Sequence, residues 1–280
     1  MVSLIALEES SDLAKIGWSA SLDLLFESRR NKTVLRRNRH MGPLRVQRAF
    51  YPADDNRCHV YLLHPPGGVV GGDCLNTNVR VESGANVLIT TPGANKIYRS
   101  DRAHSRISSL LSIGPHASLE WFPQETIYFS GSRSRTVTEI NLDKDAHGVT
   151  WDLLCLGRPV SGEKFSEGNF IQRTIFYRNG RPILNDASAA TGGDVMLDAI
   201  WGWQEQDVFA TFYSTRIEKL DSDWAPALGS LVLTRVEGIF IARYLGRSVQ
   251  EAKSIFYDLW CIHRSLAGEA KPVAPRIWNT

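Results

Sequence analysis

The sequence is poor in cysteine, and its cysteines are scattered. Four occur in 280 residues, and no two of them form a CxxC pair. This spacing argues against a zinc finger and against a thioredoxin-type redox site. In a reducing compartment such residues are expected to be free thiols, most of them buried. They are Cys58, Cys74, Cys155 and Cys261.

Long apolar runs and a large net charge are also missing. No uncharged apolar run approaches the ~20 residues that span a bilayer. The first residues, MVSLIALEESSDLAKIGW, carry acids within their short apolar stretch and no basic start, unlike a secretory signal. The formal net charge of +2 provides no global basic field for nucleic acid or an anionic membrane. We therefore expect a cytoplasmic protein with neither kind of partner.

No linker rich in proline or serine divides the chain, which predicts one domain over residues 1–280. Most of it has the pattern of strands. In SASLDLLF, apolar residues alternate with polar ones at the period of a half-buried strand. Asn179-Gly180 and Glu237-Gly238 stand between apolar runs, as hairpin turns do. The predicted class is therefore mainly β.

One helix stands out in the C-terminal part, in SVQEAKSIFYDLWCIHRSLAG. Ser248 and Glu251 form a capping-box pattern, and Gly268 is expected to end the helix. A second, weaker helix is predicted over TRIEKLDSDW, residues 215–224. The apolar positions of the first helix share one face: Ala252, Ile255, Phe256, Leu259, His263 and Leu266.

The segment HPPGGVVGGD, residues 64–73, combines two prolines and four glycines with an acid. A phosphate-binding P-loop would require GxxxxGK[ST], but Asp73 follows the glycines here. A metal site built from His59 and His64 is also disfavoured, because a continuous strand points residues five apart to opposite faces. The remaining interpretations are a sharp corner between strands or a specialised functional loop.

The loop is one of several motifs that together resemble the UreD family of urease accessory proteins, also called UreH. The block HPPGGVVGGD followed by TTPGANKIYRS is highly specific, and the resemblance runs from about Gly17 to the last residue. Residues 186–223 match least. The other matching segments are GWSASLDLLF, GPLRVQRAFYP, LEWFPQETIYFSG, WDLLCLGRPVSGEKF and PRIWNT.

The resemblance implies a mainly β fold, with strands wound in a helical, solenoid-like arrangement and two α-helices towards the C-terminus. Residues 1–16 would be a flexible extension. It implies a non-catalytic factor that joins a UreF-type helical protein and a UreG-type GTPase to urease apoprotein. That complex, expected to be a dimeric hetero-oligomer, delivers nickel to urease. No tightly bound cofactor is expected, only Ni²⁺ in transit.

For such a role we expect Asp73, Asp152 and Glu163 to line a polar passage for Ni²⁺, with His64 and Asn95 as secondary candidates. Carboxylates hold Ni²⁺ less tightly than thiolates or clustered imidazoles do, so an ion can move on. For Asp152 alone, the alternative is a structural salt bridge in a buried strand. Arg158 and Arg173 are the arginines available nearby in sequence.

Arg276, Ile277 and Trp278 in the terminal PRIWNT are expected to help dock the UreF-type partner, since Trp and Arg are frequent interface anchors.

A different function remains open at this point. A carbohydrate-active β-solenoid enzyme would use paired carboxylates among the same three acids. Its aromatic platforms would come from Trp121, Trp151 and Trp201.

Overall fold

The computed structural model describes residues 17–30, 32–52, 56–219 and 231–279, and these form seventeen strands and one α-helix with short 3-10 turns. The mainly β class is confirmed. The elements are β1 (Ser19–Arg29), β2 (Lys32–Met41), β3 (Arg45–Phe50), β4 (Cys58–Leu63), β5 (Cys74–Val81), β6 (Asn86–Thr90), β7 (Asn95–Ile97), β8 (Ser105–Ile113), β9 (Ser118–Phe122), β10 (Thr126–Tyr128), β11 (Arg133–Leu142), β12 (His147–Leu156), β13 (Asn169–Arg178), β14 (Arg181–Thr191), β15 (Val208–Ser214), β16 (Leu231–Val236), β17 (Ile239–Gly246) and α1 (Val249–Ser265).

The strands form two sheets. The first has the spatial order β14-β13-β11-β8-β5-β1-β2. Its five inner strands are parallel to one another, and an antiparallel strand closes each edge. The second sheet has the order β16-β17-β15-β12-β9-β6-β4-β3. The short strands β7 and β10 extend it beside β12, with β10 pairing with both β7 and β12.

The chain winds between the sheets as a solenoid. From β4 to β13 it alternates, placing β4, β6, β9 and β12 in the second sheet and β5, β8, β11 and β13 in the first. Each return pairs the new strand in parallel with the strand of the previous coil. Parallel pairing requires such long crossovers, because a tight hairpin can join only antiparallel strands. The solenoid-like winding implied by the family resemblance is therefore present.

Period-two patterning explains which side of each strand is buried. On β1 the alternating apolar residues Ala20, Leu22, Leu24 and Phe26 are at most 1% exposed and face the space between the sheets. Strand β12 is buried on both faces, as WDLLCLG predicts: Leu154 packs between the sheets, whereas Trp151 packs beneath α1. The two hairpins are also confirmed, with positive φ at both residues of Asn179-Gly180 and of Glu237-Gly238.

Helix α1 covers the outer face of the second sheet, against β12 and β15. Its N-cap, Ser248, accepts a hydrogen bond from the Glu251 backbone N–H (3.1 Å), as the capping box predicts. The Glu251 side chain departs from that motif, because it accepts from the Tyr244 hydroxyl (2.7 Å). Leu266 is 56% exposed and not on the buried face, because the helix ends at Ser265.

A buried ion cluster fixes α1 to the sheet. Glu120 on β9 accepts from Trp260 Nε1 (2.9 Å) and from Arg264 Nε (2.7 Å), and Arg57 lies 3.8 Å away. Burial alone would raise the pKa of Glu120, but the two arginines and the indole hold that pKa below its ordinary value. The carboxylate thus remains ionised, and its charge is balanced within the protein.

Three expectations concern stretches of the chain that lie wholly or partly outside the described residues. The second helix is not seen in residues 215–219, and its remaining residues, 220–224, lie outside the described part. The predicted N-terminal extension, residues 1–16, also lies outside it. The single-domain interpretation stays a prediction. Among the described residues, no helix is long and apolar enough to cross a membrane.

Candidate functional site

The four motif segments meet at one corner of the solenoid. Each connects a strand of the second sheet to the next strand of the first. Successive segments also pair, through the bridge from Val69 to Ile97, the parallel strands β7 and β10, and the hydrogen bond from the Gly157 N–H to the Tyr128 carbonyl (2.8 Å). Motifs separated by some 25 to 35 residues in sequence therefore form one continuous surface. They are residues 64–73, 91–104, 123–132 and 157–168.

The glycine-rich loop, residues 64–73, forms a tight turn that is held by hydrogen bonds to the side chain of Asp73. Asp73 is 6% exposed, and its Oδ1 and Oδ2 accept hydrogen bonds from the backbone N–H groups of Trp18 (2.7 Å) and Val70 (2.9 Å). The backbone of Gly17 approaches so closely that a Cβ there would lie 2.1 Å from the Gly72 carbonyl carbon. A carboxylate that accepts charge-assisted bonds from the backbone is a structural anchor as well as a polar group.

The two secondary candidates lie at the same corner. His64 is half-buried at the end of β4, where burial lowers its pKa and nearby Asp73 acts in the opposite direction. Asn95 begins β7 and is also half-buried, with its backbone N–H donating to the Glu125 carbonyl (2.8 Å). The structure therefore brings His64 within electrostatic range of Asp73.

Glu163 lies in the fourth segment and forms an ion pair with Arg158 (Nε–Oε2, 2.6 Å). Its other oxygen accepts from the Ser130 backbone N–H (3.0 Å). That backbone hydrogen bond, followed by Arg158, lowers the pKa of Glu163 although burial opposes the shift. Glu163 thus ties the fourth corner segment to the third, and its carboxylate is permanently charged at neutral pH.

Asp152 on β12 points into the space between the sheets. Its oxygens accept from Gln172 Nε2 and Thr174 Oγ1 on β13, both at 2.6 Å. Burial raises the pKa of Asp152 to about 6, the two hydrogen bonds oppose that shift, and the charge of Asp186 adds to it. The salt bridge to Arg158 or Arg173 is wrong. Arg158 pairs with Glu163, and Arg173 lies on the opposite, solvent face of β13.

Two rows of polar side chains cross the inner face of the first sheet. One consists of residues in direct register on neighbouring strands, and it reaches Asp186 on β14. Asp186 itself accepts from Tyr213 (3.0 Å) and Arg243 (2.6 Å) of the second sheet. The members of this row are Thr77, Ser109, Thr138, Thr174 and Asp186.

The second row begins beside Asp73 and contains Ser105 and Ser134. Ser134 is 1% exposed, and its hydroxyl has no hydrogen-bond partner among the described residues. Sequence analysis missed both rows and Asp186. The alternation in LNTNVRV, SRISSLLSI and RSRTVTEINL already placed hydroxyls at inward positions, but only the register aligns them.

The candidate acids are spread along this interior and do not share one site. Asp73 precedes β5, whereas the partners of Asp152 lie on β13, three strands away, or roughly 14 Å at ~4.8 Å per strand. No group of three or more His, Cys, Asp or Glu side chains that could hold a metal ion occurs among the residues described. The arrangement consists of well-separated carboxylates with rows of buried hydroxyls in the interior between them.

The C-terminal segment folds back onto its own chain. Residues Arg276–Asn279 form a 3-10 turn, and Trp278 Nε1 donates to Thr90 Oγ1 (2.8 Å). The Trp278 ring lies 5.3 Å from that of Trp151 and 6.0 Å from that of Trp260. Arg276 remains exposed. The docking role of this segment stays a prediction, with Arg276 the member most free to make it.

The aromatic residues argue against a sugar cleft. Trp151 and Trp121 are 1% and 7% exposed, so neither offers a platform to a ligand. Trp201 is 69% exposed, in the loop between β14 and β15 that borders the fourth corner segment, so one of the three tryptophans is accessible and a pair of platforms is not formed. The alternative enzymatic function therefore has no supporting geometry at the three acids.

Comparison with known proteins gives one consistent result. A family model described as UreD urease accessory protein matches residues 19–279. The chain is 40% identical over 273 residues to urease accessory protein UreD of Dechloromonas aromatica, covering 94% of this chain and 95% of the relative. It is 40% identical over 274 residues to UreD 2 of Brucella anthropi, covering 94% and 99%. It is also 37% identical over 275 residues to UreD of Saccharophagus degradans, covering 94% and 93%.

Proposed function

The chain belongs to the UreD family of urease accessory proteins, and we propose that it serves urease maturation as a non-catalytic scaffold and nickel-transfer chaperone. In this role it joins UreF-type and UreG-type proteins to urease apoprotein within a dimeric hetero-oligomer, in the cytoplasm. The chain itself holds no resident cofactor, and Ni²⁺ is its cargo. The GTPase step belongs to the UreG-type partner, in keeping with the acid that replaces a Walker lysine after the glycines of this chain.

The interior polar rows are the observation that carries the nickel proposal. A protein interior of this size is ordinarily apolar where two sheets face each other. Here hydroxyls and carboxylates extend from Asp73 towards Asp152 and Asp186. These are hard, exchangeable oxygen ligands, and they suit an ion that must bind and leave. We place the Ni²⁺ passage along these rows, with Asp73 and Asp152 towards opposite ends.

The remaining candidates would serve the corner where the passage opens. His64 and Asn95 are half-buried there, and Glu163 adds a carboxylate that is ion-paired with Arg158. In this proposal the oxygen and nitrogen atoms of Glu163, His64 and Asn95 offer transient ligands at the opening, and the hydroxyl rows carry the ion inward.

In vitro urease activation with purified partners tests the proposal. Omitting this chain should abolish GTP-dependent nickel loading of urease. Asp152→Asn should slow loading while the multi-protein complex still assembles, because the amide keeps the shape and removes the charge. Asp143→Asn, in an exposed turn, is the matched control. Loading that proceeds at the normal rate without the chain would refute the maturation role, whereas normal loading by an assembled Asp152→Asn variant would refute only the passage.

A further inference from the structure

The outer face of the first sheet is a broad surface that no element of the described chain covers. Helix α1 packs on the second sheet, and the outward side chains of β5, β8, β11 and β13 are exposed or half-buried. Seven strands at ~4.8 Å, with four rows of outward residues about 6.7 Å apart, give a face of roughly 29 Å by 20 Å.

Arginine dominates this face. Its four outward rows contain six arginines, no lysine and two acids, Asp23 and Glu139. Only one of the arginines, Arg37, forms an ion pair with another described residue, at 3.1 Å from Asp23. We call the six the arginine face: Arg37, Arg39, Arg80, Arg106, Arg135 and Arg173.

One pair within the arginine face is unfavourable for the folded chain alone. Arg106 on β8 and Arg135 on β11 are direct cross-strand partners and point to the same side. Like charges in that position repel each other. Arg173 lies diagonally next to Arg135, on β13, and adds to the same positive cluster. The overall net charge of +2 conceals this local concentration, because it sums over the whole chain.

Apolar side chains are interspersed among the arginines. Leu110 is 40% exposed and Ile171 39% exposed, and Ile171 is the cross-strand partner of Arg135. Protein interfaces are enriched in arginine and depleted of lysine, with apolar contacts between the charges. A nucleic-acid site would instead offer aromatic stacking platforms or a groove. The rows contain a single aromatic residue, the half-buried Tyr177.

We propose that the arginine face is a docking surface for an acidic protein surface. Its plan area of about 600 Å² is comparable with the ~800 Å² that each partner buries in a standard interface. Guanidinium groups make bidentate hydrogen bonds to carboxylates, so each unpaired arginine offers a specific site for an Asp or Glu of the partner. The positive field also steers an acidic partner towards this side of the sheet. The inference rests on the proposed function only for the identity of the partners used in its test.

The test measures binding of the purified chain to nickel-free urease, to the UreF-type protein and to the UreG-type protein in turn. Arg106→Glu/Arg135→Glu should weaken binding to one of them by about tenfold or more, and raising NaCl from about 50 to about 300 mM should weaken the wild-type contact. The matched control is Arg45→Glu/Arg247→Glu, which makes the same charge change at exposed positions outside the face. It should leave that affinity unchanged.

Three results would overturn the inference. One is that the reversed variant, folded by circular dichroism, binds all three partners as tightly as the wild type. Another is an equal loss in the control variant, which would indicate a general charge effect. The third is binding of a 30-base-pair DNA duplex or an anionic vesicle at about 150 mM NaCl that the Arg106→Glu/Arg135→Glu change abolishes while the protein contacts remain. None of these results bears on the maturation role, which is tested separately by omitting this chain from the urease activation reaction.

Discussion

Asp73 and Trp18 are joined across 55 residues of sequence by a 2.7 Å hydrogen bond from the Trp18 backbone N–H to Asp73 Oδ1. The adjacent backbone bond, from the Cys74 N–H to the Trp18 carbonyl (2.8 Å), starts the parallel pairing of β1 with β5. The acid of the glycine-rich loop therefore sets where the first strand enters its sheet. Asp73 therefore has a structural role that is independent of nickel transfer. A substitution at Asp73 is expected to affect the stability of the fold.

Asp73→Asn should destabilise the fold, because an amide replaces one acceptor with a donor facing a backbone N–H. We expect a loss of about 1.5–3 kcal/mol, the range for a hydrogen bond to a charged group. Urea unfolding monitored by tryptophan fluorescence gives this value. Gly17→Ala should be similarly harmful because of its 2.1 Å contact, whereas Gly93→Ala, with open space around it, should be neutral. If Asp73→Asn is as stable as the wild type, the hydrogen bonds of the Asp73 side chain contribute little to stability.

Asp152 should make stability depend on pH near neutrality. Its folded-state pKa is raised from 3.8 to about 6, so the folded protein binds the proton more tightly than the unfolded chain does. The resulting stabilisation is complete below pH ~4 and is lost as the pH rises through ~6, up to about 3 kcal/mol. The wild type should therefore lose stability relative to Asp152→Asn between pH 5 and pH 7.5. Parallel unfolding curves for the two proteins across that interval would contradict the assignment.

Glu120→Gln should be among the most damaging single changes. It removes the buried carboxylate that Arg57 and Arg264, 2% and 3% exposed, share, and leaves Glu269 to balance both arginines. Removing one partner of a buried ion pair costs about 3–5 kcal/mol.

In the wild type the lowered pKa of Glu120 makes stability depend on pH in the direction opposite to that given by Asp152. Its stabilisation is present above the ordinary carboxyl pKa and is lost as the pH falls through the folded-state value. Differential scanning calorimetry at pH 4 and pH 7 measures both effects, with Glu139→Gln on the sheet surface as the control.

The C-terminal docking prediction now requires two variants. Deleting residues 275–280 should weaken co-purification with the UreF-type partner. However, it also removes the Trp278 ring from its contacts with Phe122, Trp151 and Trp260. Trp278→Ala alone should cost about 3 kcal/mol as a large-to-small change. Arg276→Glu, at an exposed site, should preserve the melting temperature and reduce partner binding. Two results together would exclude this segment from the interface. They are wild-type binding of the UreF-type partner by Arg276→Glu, and binding of that partner by a folded deletion variant.

Local signals in the sequence were sufficient for the classes of structure. Strand alternation, the Asn-Gly and Glu-Gly turns and the Ser248 N-cap of α1 depend on interactions within a few residues, and all are confirmed. The missed partners of Asp152 show where local reasoning stops. Gln172 and Thr174 are 20 and 22 residues away in sequence, and the partner considered for Asp152 was an arginine, because the sequence alone does not show which neutral donors lie nearby.

The sequence by itself thus determined the fold class, the family and the acids worth testing, since composition, periodicity and contiguous motifs are properties of the chain. Only the tertiary structure decided how those acids are used. Solenoid winding places Asp73 at the start of β1, pairs Glu163 with Arg158 and aligns inward hydroxyls from four strands into a row. It also gathers arginines that are spread over residues 37–173 onto one face. The physical reason is register: parallel strands stack residues some 30 positions apart at about 4.8 Å, and no local signal specifies which residues will meet.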